Sequence, residues 1–502
     1  MKEFFLTLYR FLFVLLGFSI FLGCSSDDDT EPIEMIFTPL IEFSYQPEEI
    51  HAGQEVNFSG RWQTGSSVIE SWNWNFGDNL SIPSNSQNSS YVYAEEGTYI
   101  VSLTATDAKD SSATVYQEIT VLPPLKDPYQ AEIAWSFSNN TAITTANDAS
   151  RPAMDDNGDI YYLENYAGAE SRVIALTDDE ASATKKWEVV TGYNTRQSPS
   201  IGPLGNIYVG VWATDKSILQ INSQSGDVFA FEGVGSGISN SAAAIDQDGN
   251  TYYGTRSAGI FSYDATGQQR WNFQSANSGA RYYASPAISK DGSTVYAIAT
   301  GGELFALNTS DGTLKWSEPI TFNGDGTGAS LSINSDGTVY YTSTTEVGAI
   351  TDNGASGSVK WTYNTEGANS SAVSIGLEGI LYVGSSKGLI ALNPADGTEM
   401  WVYDAVIEES VPAIDSEGNI YIGTKDGKLL VVNAEGELLK QFNLSTNIVN
   451  SPLIADDGSI YVEAFDGEKI TLFKISVENI EGPANTSWPM KGQNRKGTAM
   501  AN

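Results

Sequence analysis

The chain has 502 residues, and 62 acidic against 26 basic side chains give it a formal net charge of −36. Such a surface repels phosphate backbones, and no basic stripe offsets it, which argues against nucleic acid as a partner; the acidity reads as a solubility device. Hydrophobic residues make up 41% and aromatic residues 11% of the sequence, which excludes wholesale disorder, and the length exceeds one ordinary core. The 48 glycines, with little helical periodicity, point to many short strands and tight turns.

Lys2 and Arg10 bracket a short basic region that precedes an apolar run over residues 11–22 and then Gly23-Cys24. The run is too short to span a bilayer and Arg10 interrupts any longer span, so residues 1–23 are predicted as a signal peptide rather than a transmembrane helix. Phe21-Leu22-Gly23-Cys24 resembles a bacterial lipobox, with Phe21 where leucine is usual, and the resemblance implies lipidation of Cys24, palmitate included. Cys24 is the only cysteine. It has no disulfide partner, and the solvated Ser25-Ser26-Asp27-Asp28-Asp29 beside it argues against a buried thiol. Several acyl chains, at about 0.8 kcal/mol per buried methylene, make such an anchor effectively permanent. Residues 24–39 form an acidic flexible tether. The acidic run directly after Cys24 resembles the export signal of Bacteroidota surface lipoproteins, which implies an outer-membrane protein facing outward, with the periplasmic face as the alternative.

Residues 40–123 read as a small β-sandwich. Trp72, Trp74 and Phe76 alternate with polar residues, as do Tyr99, Val101, Leu103 and Ala105 after the turn at Glu96-Gly97-Thr98, so each set occupies one strand face. Trp74-Asn75-Phe76-Gly77-Asp78 and the later stretch over residues 93–107 resemble the signatures of the PKD domain family. That resemblance implies an immunoglobulin-like sandwich used as a spacer or a weak adhesive module. Asp78 is assigned to turn formation, with a cation site as the lesser reading. Pro123-Pro124 and Pro128 make residues 124–129 a stiff linker.

From about residue 130 the sequence repeats. Tyr161, Tyr208, Tyr252, Tyr296, Tyr340, Tyr382, Tyr421 and Tyr461 recur at spacings of 39 to 47 residues, the period of four-stranded propeller blades. Trp135, Trp187, Phe231, Trp271, Trp316, Trp361, Trp401 and Phe442 mark eight outer strands. Trp135 precedes the first full unit while the last unit lacks an outer strand, so the Trp135 strand is predicted to complete the final blade and close the ring. Residues 130–476 are thus expected to form an eight-bladed propeller, with a tail over 477–502 in which Trp488 packs over the ring. The Asp-Gly-x-x-x-Trp element, as in Asp311-Gly312 to Trp316, resembles PQQ-like propeller repeats. These occur in quinoprotein dehydrogenases and in the propeller lipoprotein of the outer-membrane β-barrel assembly machinery. The chain is therefore expected to be all-β, a PKD sandwich followed by an eight-bladed propeller.

A quinoprotein reading meets the absence of vicinal cysteines and the placement of His51, the sole histidine, in the sandwich; no histidine serves the ring as base or ligand. No catalytic residue, cofactor or metal is expected. The calcium-like segments Asp155-Asp156-Asn157-Gly158-Asp159 and Asp246-Gln247-Asp248-Gly249-Asn250 lack an EF-hand's distal glutamate and fall at hairpin turns, so structural calcium is not supported.

Function is expected where the repeats differ. Loops between blades and loops between each blade's second and third strands should share a face. There the early repeats place Tyr166, Tyr193, Arg196, Trp212, Arg256, Arg281, Tyr282 and Tyr283. These side chains form a binding patch or pack over longer loops, whereas Ser385-Ser386-Lys387 and Thr424-Lys425-Asp426 are small and polar. The expected function is non-catalytic capture of a glycan or protein at the cell envelope. A scaffold in outer-membrane protein assembly is one alternative, and a quinoprotein or carbohydrate-active enzyme is the other.

Overall fold

The computed structural model describes residues 39–63, 68–78, 86–124, 129–139, 150–166, 170–193, 195, 198–211, 216–232, 241–256, 259–277, 279–326, 331–366, 371–407 and 409–501. The predicted signal peptide, Cys24, the tether through residue 38 and linker residues 125–128 lie outside them. The chain divides into two units, Met1–Lys126 and Asp127–Asn502.

The first unit is the expected sandwich. One sheet pairs Leu40–Gln46, Glu55–Gln63 and Asn88–Val92; the other pairs Ile50–His51, Ser112–Leu122, Gly97–Asp107 and Ile69–Asn75. The period-two pattern places Trp72, Trp74, Phe76, Val101, Leu103 and Ala105 in the core, with Tyr99 half-buried against it. Trp74 is edge-on to Phe43 and its indole N–H donates to the Ser86 carbonyl at 2.9 Å. Asp78 accepts the Tyr91 hydroxyl, and the Tyr91 ring stacks on Phe76 at 4.4 Å. The Asp78 hydrogen bond, followed by burial, pushes the Tyr91 hydroxyl up to about 12.

The second unit is an eight-bladed propeller. Blades 1 to 7 cover 153–190, 200–232, 244–273, 287–321, 332–364, 374–403 and 413–443, each a four-stranded antiparallel sheet. Blade 8 takes its inner three strands from 453–477 and its outer strand from Ala131–Ser138, which pairs antiparallel with Ile470–Val477 and sets Trp135 opposite Lys474. Second strands such as Ile420–Gly423 are buried at every residue, because neighbouring blades cover both faces; this is why they read as continuous apolar runs.

Each outer-strand indole docks on the next blade. Trp187, Trp271, Trp361 and Trp401 donate to the carbonyls of Ser223, Thr309, Pro394 and Ala434 at 2.8–3.0 Å. These carbonyls belong to the turn between the third and fourth strands, where the repeat glycine lies under the ring. Gly312 has φ +73° and a Cβ there would stand 2.5 Å from the Trp271 ring; Gly397 has φ +72° and 2.4 Å to Trp361. Backbone strain and close approach both demand glycine. Gly312→Ala is expected to lower stability by about 2–4 kcal/mol, the sum of a left-handed β-carbon and an overpacked ring, read as a lower urea midpoint at unchanged slope.

Blade 4 differs from the expected pattern. Trp316 precedes a two-residue outer strand, Ile320–Thr321, since Pro319 cannot donate to the ladder. Its indole still reaches blade 5, donating to Asp352 at 3.0 Å.

The acidic turn segments are hydrogen-bonded hairpins. Asp155 accepts the amides of Asn157 and Asp159 with one oxygen and the Tyr161 hydroxyl with the other, at 2.9–3.0 Å. Asp246 and Asp415 repeat the arrangement with Tyr252 and Tyr421. These carboxylates are committed to turn capping.

Candidate functional site

The loops predicted to share a face do so. The loop between blades 3 and 4 bonds to the turns between second and third strands on both sides of it, Tyr282 N donating to Thr255 O at 2.9 Å and Thr300 N to Arg281 O at 2.7 Å, and in the loop between blades 7 and 8 Val449 N donates to Thr424 O at 3.0 Å. This shared surface is the loop face. On it Arg281 is fixed through its backbone, its amide also donating to Thr300 Oγ1 at 3.0 Å, while its side chain is exposed. The guanidinium donates to the Tyr283 hydroxyl at 3.4 Å. Arg256 is half-buried in the turn between the second and third strands of blade 3. Tyr193 is half-buried and packs against the core between blades 1 and 2.

Tyr282 is not part of the surface. It is 1% exposed, its ring lies near Phe305, its hydroxyl accepts the Ser275 amide at 3.0 Å, and burial pushes that hydroxyl up to about 12. Burial alternates along the segment, with Arg281 exposed, Tyr282 buried and Tyr283 half-buried. Arg281 and Tyr283 point out, and Tyr282 belongs to the core. Arg196, Trp212 and the Tyr166 side chain lie outside the described residues.

Across the same face, the small loops of the later repeats leave a hollow. A cavity of about 210 Å³ opens between blades 6, 7 and 8, lined by Glu409, Ser410, Thr424, Lys425, Ile448 and Val449. Large side chains mark the early loops in the sequence, whereas this hollow, open beside the short Ser410 and Thr424, has no comparable signal there.

The opposite face, where the acidic turns lie, is sealed by the tail. The innermost strand of a blade has a free inner edge, and its amides need acceptors once buried. The tail supplies them: Met154, Ile201, Ile245, Ile288, Ile375 and Ile414 donate to the carbonyls of Arg495, Lys496, Thr498, Ala499, Trp488 and Pro489 at 2.7–2.9 Å. Trp488 and Met490 are buried in the axis.

Beneath the tail lies Arg151, 0% exposed. Burial pulls its guanidinium down to about 9 against the opposing charge of Glu463. Burial likewise pulls Lys491 to about 8 and pushes Glu463 up to about 7. Sequence reading missed this cluster, although a signal existed. Arg151 occupies the position filled by Ser198, Ala242, Ser285, Ala372, Val411 and Ser451 in sister repeats, and it is the only large charge among them. Beside Arg151 under the tail is a cavity of about 20 Å³. A tricyclic quinone cofactor does not fit there.

Comparisons with known proteins agree with this architecture. A family model described as PKD domain matches residues 37–121, and one described as outer membrane protein assembly factor BamB matches 238–403 and 324–489, which together span half of the chain. BamB from Moraxella catarrhalis, a solved structure, shares the propeller fold with a TM-score of 0.51 at 15% identity, over 70% of this chain and 98% of that one. The PKD1 domain of the Vibrio cholerae metalloprotease PrtV is 28% identical over 17% of this chain and 99% of its own, with a TM-score of 0.15. Protein Rv3035 of Mycobacterium tuberculosis is 43% identical over 54 residues, so the chain spans 13% of that curated relative's length. With its repeats matched over half its length and its ring of blades closed as described, the chain belongs to the BamB-like family of PQQ-repeat β-propellers and carries a PKD domain ahead of the propeller.

Proposed function

We propose that the chain is a non-catalytic scaffold of the cell envelope, anchored through lipid on Cys24, whose propeller holds a protein partner on its loop face. The observation that carries this reading is the inequality of the two faces. The tail fills one end of the axis with Trp488, Met490 and their neighbours. The loop face carries the rigidly mounted Arg281–Tyr283 pair and, elsewhere, the hollow beside Ile448 and Val449. An exposed arginine beside an aromatic ring, together with a partly apolar recess, is the chemistry of a protein interface. The family match supports an outer-membrane location and an envelope protein as partner. The reading needs no cofactor.

The test is site-directed cross-linking in the native envelope, with a photoreactive side chain at Tyr283. An adduct with an outer-membrane protein is expected. Changing Arg281 and Tyr283 together to alanine should weaken that capture about tenfold, the equivalent of about 1.4 kcal/mol, with an unchanged melting temperature because both side chains lie outside the core. Capture unaffected by the double substitution would remove the pair from the interface. Retention on a glycan array, with no protein adduct, would move the reading to glycan capture.

A further inference from the structure

The recess between blades 6, 7 and 8 on the loop face has a frame of backbone hydrogen bonds. Ile407 N donates to Ser385 O at 3.2 Å, Lys425 N to Val406 O at 3.0 Å and Phe465 N to Ile448 O at 2.8 Å, which ties the two loops to the turns beside them. Gly423 lets the frame close, because a Cβ there would stand 2.2 Å from Val449 O. A site formed in advance spends little ordering entropy when a partner arrives. Its volume of about 210 Å³ lies below the roughly 300–1,000 Å³ of pockets that enclose a whole small molecule. It suits a single large side chain.

The surroundings are apolar on one side. Ile448 is half-buried in the lining. Val406, whose carbonyl takes the amide of the lining Lys425, is 50% exposed. Among the described residues it is the one exposed large apolar side chain in the loops of this face. An exposed apolar side chain beside a partly apolar recess is a place for contact with another molecule.

Charge says which kind. In the loop between blades 3 and 4 and the turns bonded to it, Arg256 and Arg281 outnumber the one acid, Glu303. Around the recess the balance reverses. Lys387 and Lys428 are paired with Glu399 and Asp426 at 3.0 and 2.7 Å, and Glu409 acts on Lys491. With those set aside, the exposed Asp404, Asp466 and Glu468 still outnumber Lys425 and Lys469. Thr446 Oγ1 donates to Asp466 O at 3.4 Å, which holds the blade 8 turn against the loop that carries Ile448. A surface of this sign, on a chain of net charge −36, favours a cationic partner segment.

Resting on the scaffold reading above, we propose that the recess anchors a cationic segment of the partner protein. One side chain of leucine, methionine or phenylalanine size enters it against Val406 and Ile448, and a lysine or arginine beside that side chain meets Asp404, Asp466 and Glu468. The two halves of the face thus take opposite charges, with Arg281 facing the acidic part of the partner.

Fluorescent peptides of alternating leucine and lysine, titrated with the full chain, provide the test. One control replaces leucine by serine and the other replaces lysine by glutamate. The parent peptide is expected to bind about tenfold more tightly than either control. Equal binding of the serine version would overturn the apolar anchor, and equal binding of the glutamate version would overturn the charge pairing. Val406→Ser, an exposed change expected to leave the melting temperature alone, should erase the preference for leucine over serine. Asp404→Lys combined with Asp466→Lys should erase the preference for lysine over glutamate. A preference unchanged in its variant would put the binding elsewhere and overturn the site. A cross-link at Tyr283 without any peptide preference would overturn the recess and leave the scaffold reading standing. Peptide preference without that cross-link would uphold the recess and overturn the interface at Arg281 and Tyr283.

Discussion

Truncation after Val477 is expected to destabilise the propeller by about 10 kcal/mol. Six inner-strand amides lose their acceptors in the tail, at a net value of about 1 kcal/mol each. The buried side chains of Trp488 and Met490 are lost with them, at about 1.5–3 kcal/mol each. Domains are stable by only about 5–15 kcal/mol in all, so the truncated chain should lose its cooperative propeller transition in urea. Trp488→Ala separates the packing contribution from the hydrogen bonds, with an expected loss of about 3–5 kcal/mol. A truncated chain that unfolds at the full-length midpoint would show that the ring is stable without its seal.

The second large effect is expected at the junction where the chain's ends meet. Asp178, in the turn between the third and fourth strands of blade 1, receives three donors from blade 8: Trp135 Nε1 at 2.9 Å, the Tyr461 hydroxyl at 2.5 Å and Lys474 Nζ at 2.6 Å. Lys474 is buried. Asp178→Ala leaves that ammonium without its counter-charge, and the expected loss is about 3–5 kcal/mol. Asp352 repeats the clasp between blades 4 and 5, taking Tyr296, Lys315 and Trp316 at 2.6–3.0 Å. Its lysine is more exposed, so Asp352→Ala should cost less, and chemical denaturation of the two variants checks the order.

The clasp also sets an acid limit. Burial alone would raise the Asp178 carboxyl, but the hydrogen bonds from Lys474, Tyr461 and Trp135 and the lysine charge outweigh it and hold it below the usual value. A carboxyl whose folded pKa is depressed contributes stability that is fully present above its unfolded value and is lost as pH falls through the folded one. The gap in urea midpoint between the native chain and Asp178→Ala should therefore be constant near neutrality and narrow below about pH 4, where the unfolded carboxyl begins to bind its proton. A gap that holds at low pH would count against the ionic part of the clasp.

Much of the fold was legible because it rests on local rules. The aromatic alternation of the PKD unit, the tyrosine-bearing strands at a near-constant spacing and the glycine under Trp187, Trp271, Trp316, Trp361 and Trp401 all leave marks within a few residues of one another. Even ring closure could be read, since Trp135 had no blade of its own and the last repeat had no outer strand. The candidate site was legible only in part. Arg281 and Tyr283 lie on the surface as the uneven repeats suggested, but Tyr282 faces inward, and nothing in three consecutive large residues states where the alternation begins. The hollow between blades 6 and 8 left no mark, because its lining mixes short and long side chains that no repeat position sets apart.

The number of blades, the strand that closes them and the turn chemistry that shapes them can all be read from the chain alone, because each depends on periodicity and on backbone constraints that act locally. The tertiary structure alone decided which acceptors satisfy the inner-strand amides, that Asp178 and Asp352 clasp neighbouring blades, and that Arg151, Lys491 and Glu463 meet in the axis. Those partners are as much as 341 residues apart along the chain, as Met154 and Arg495 are. Only the circular arrangement of the blades brings them to one point, where burial removes the water that would otherwise screen their charges.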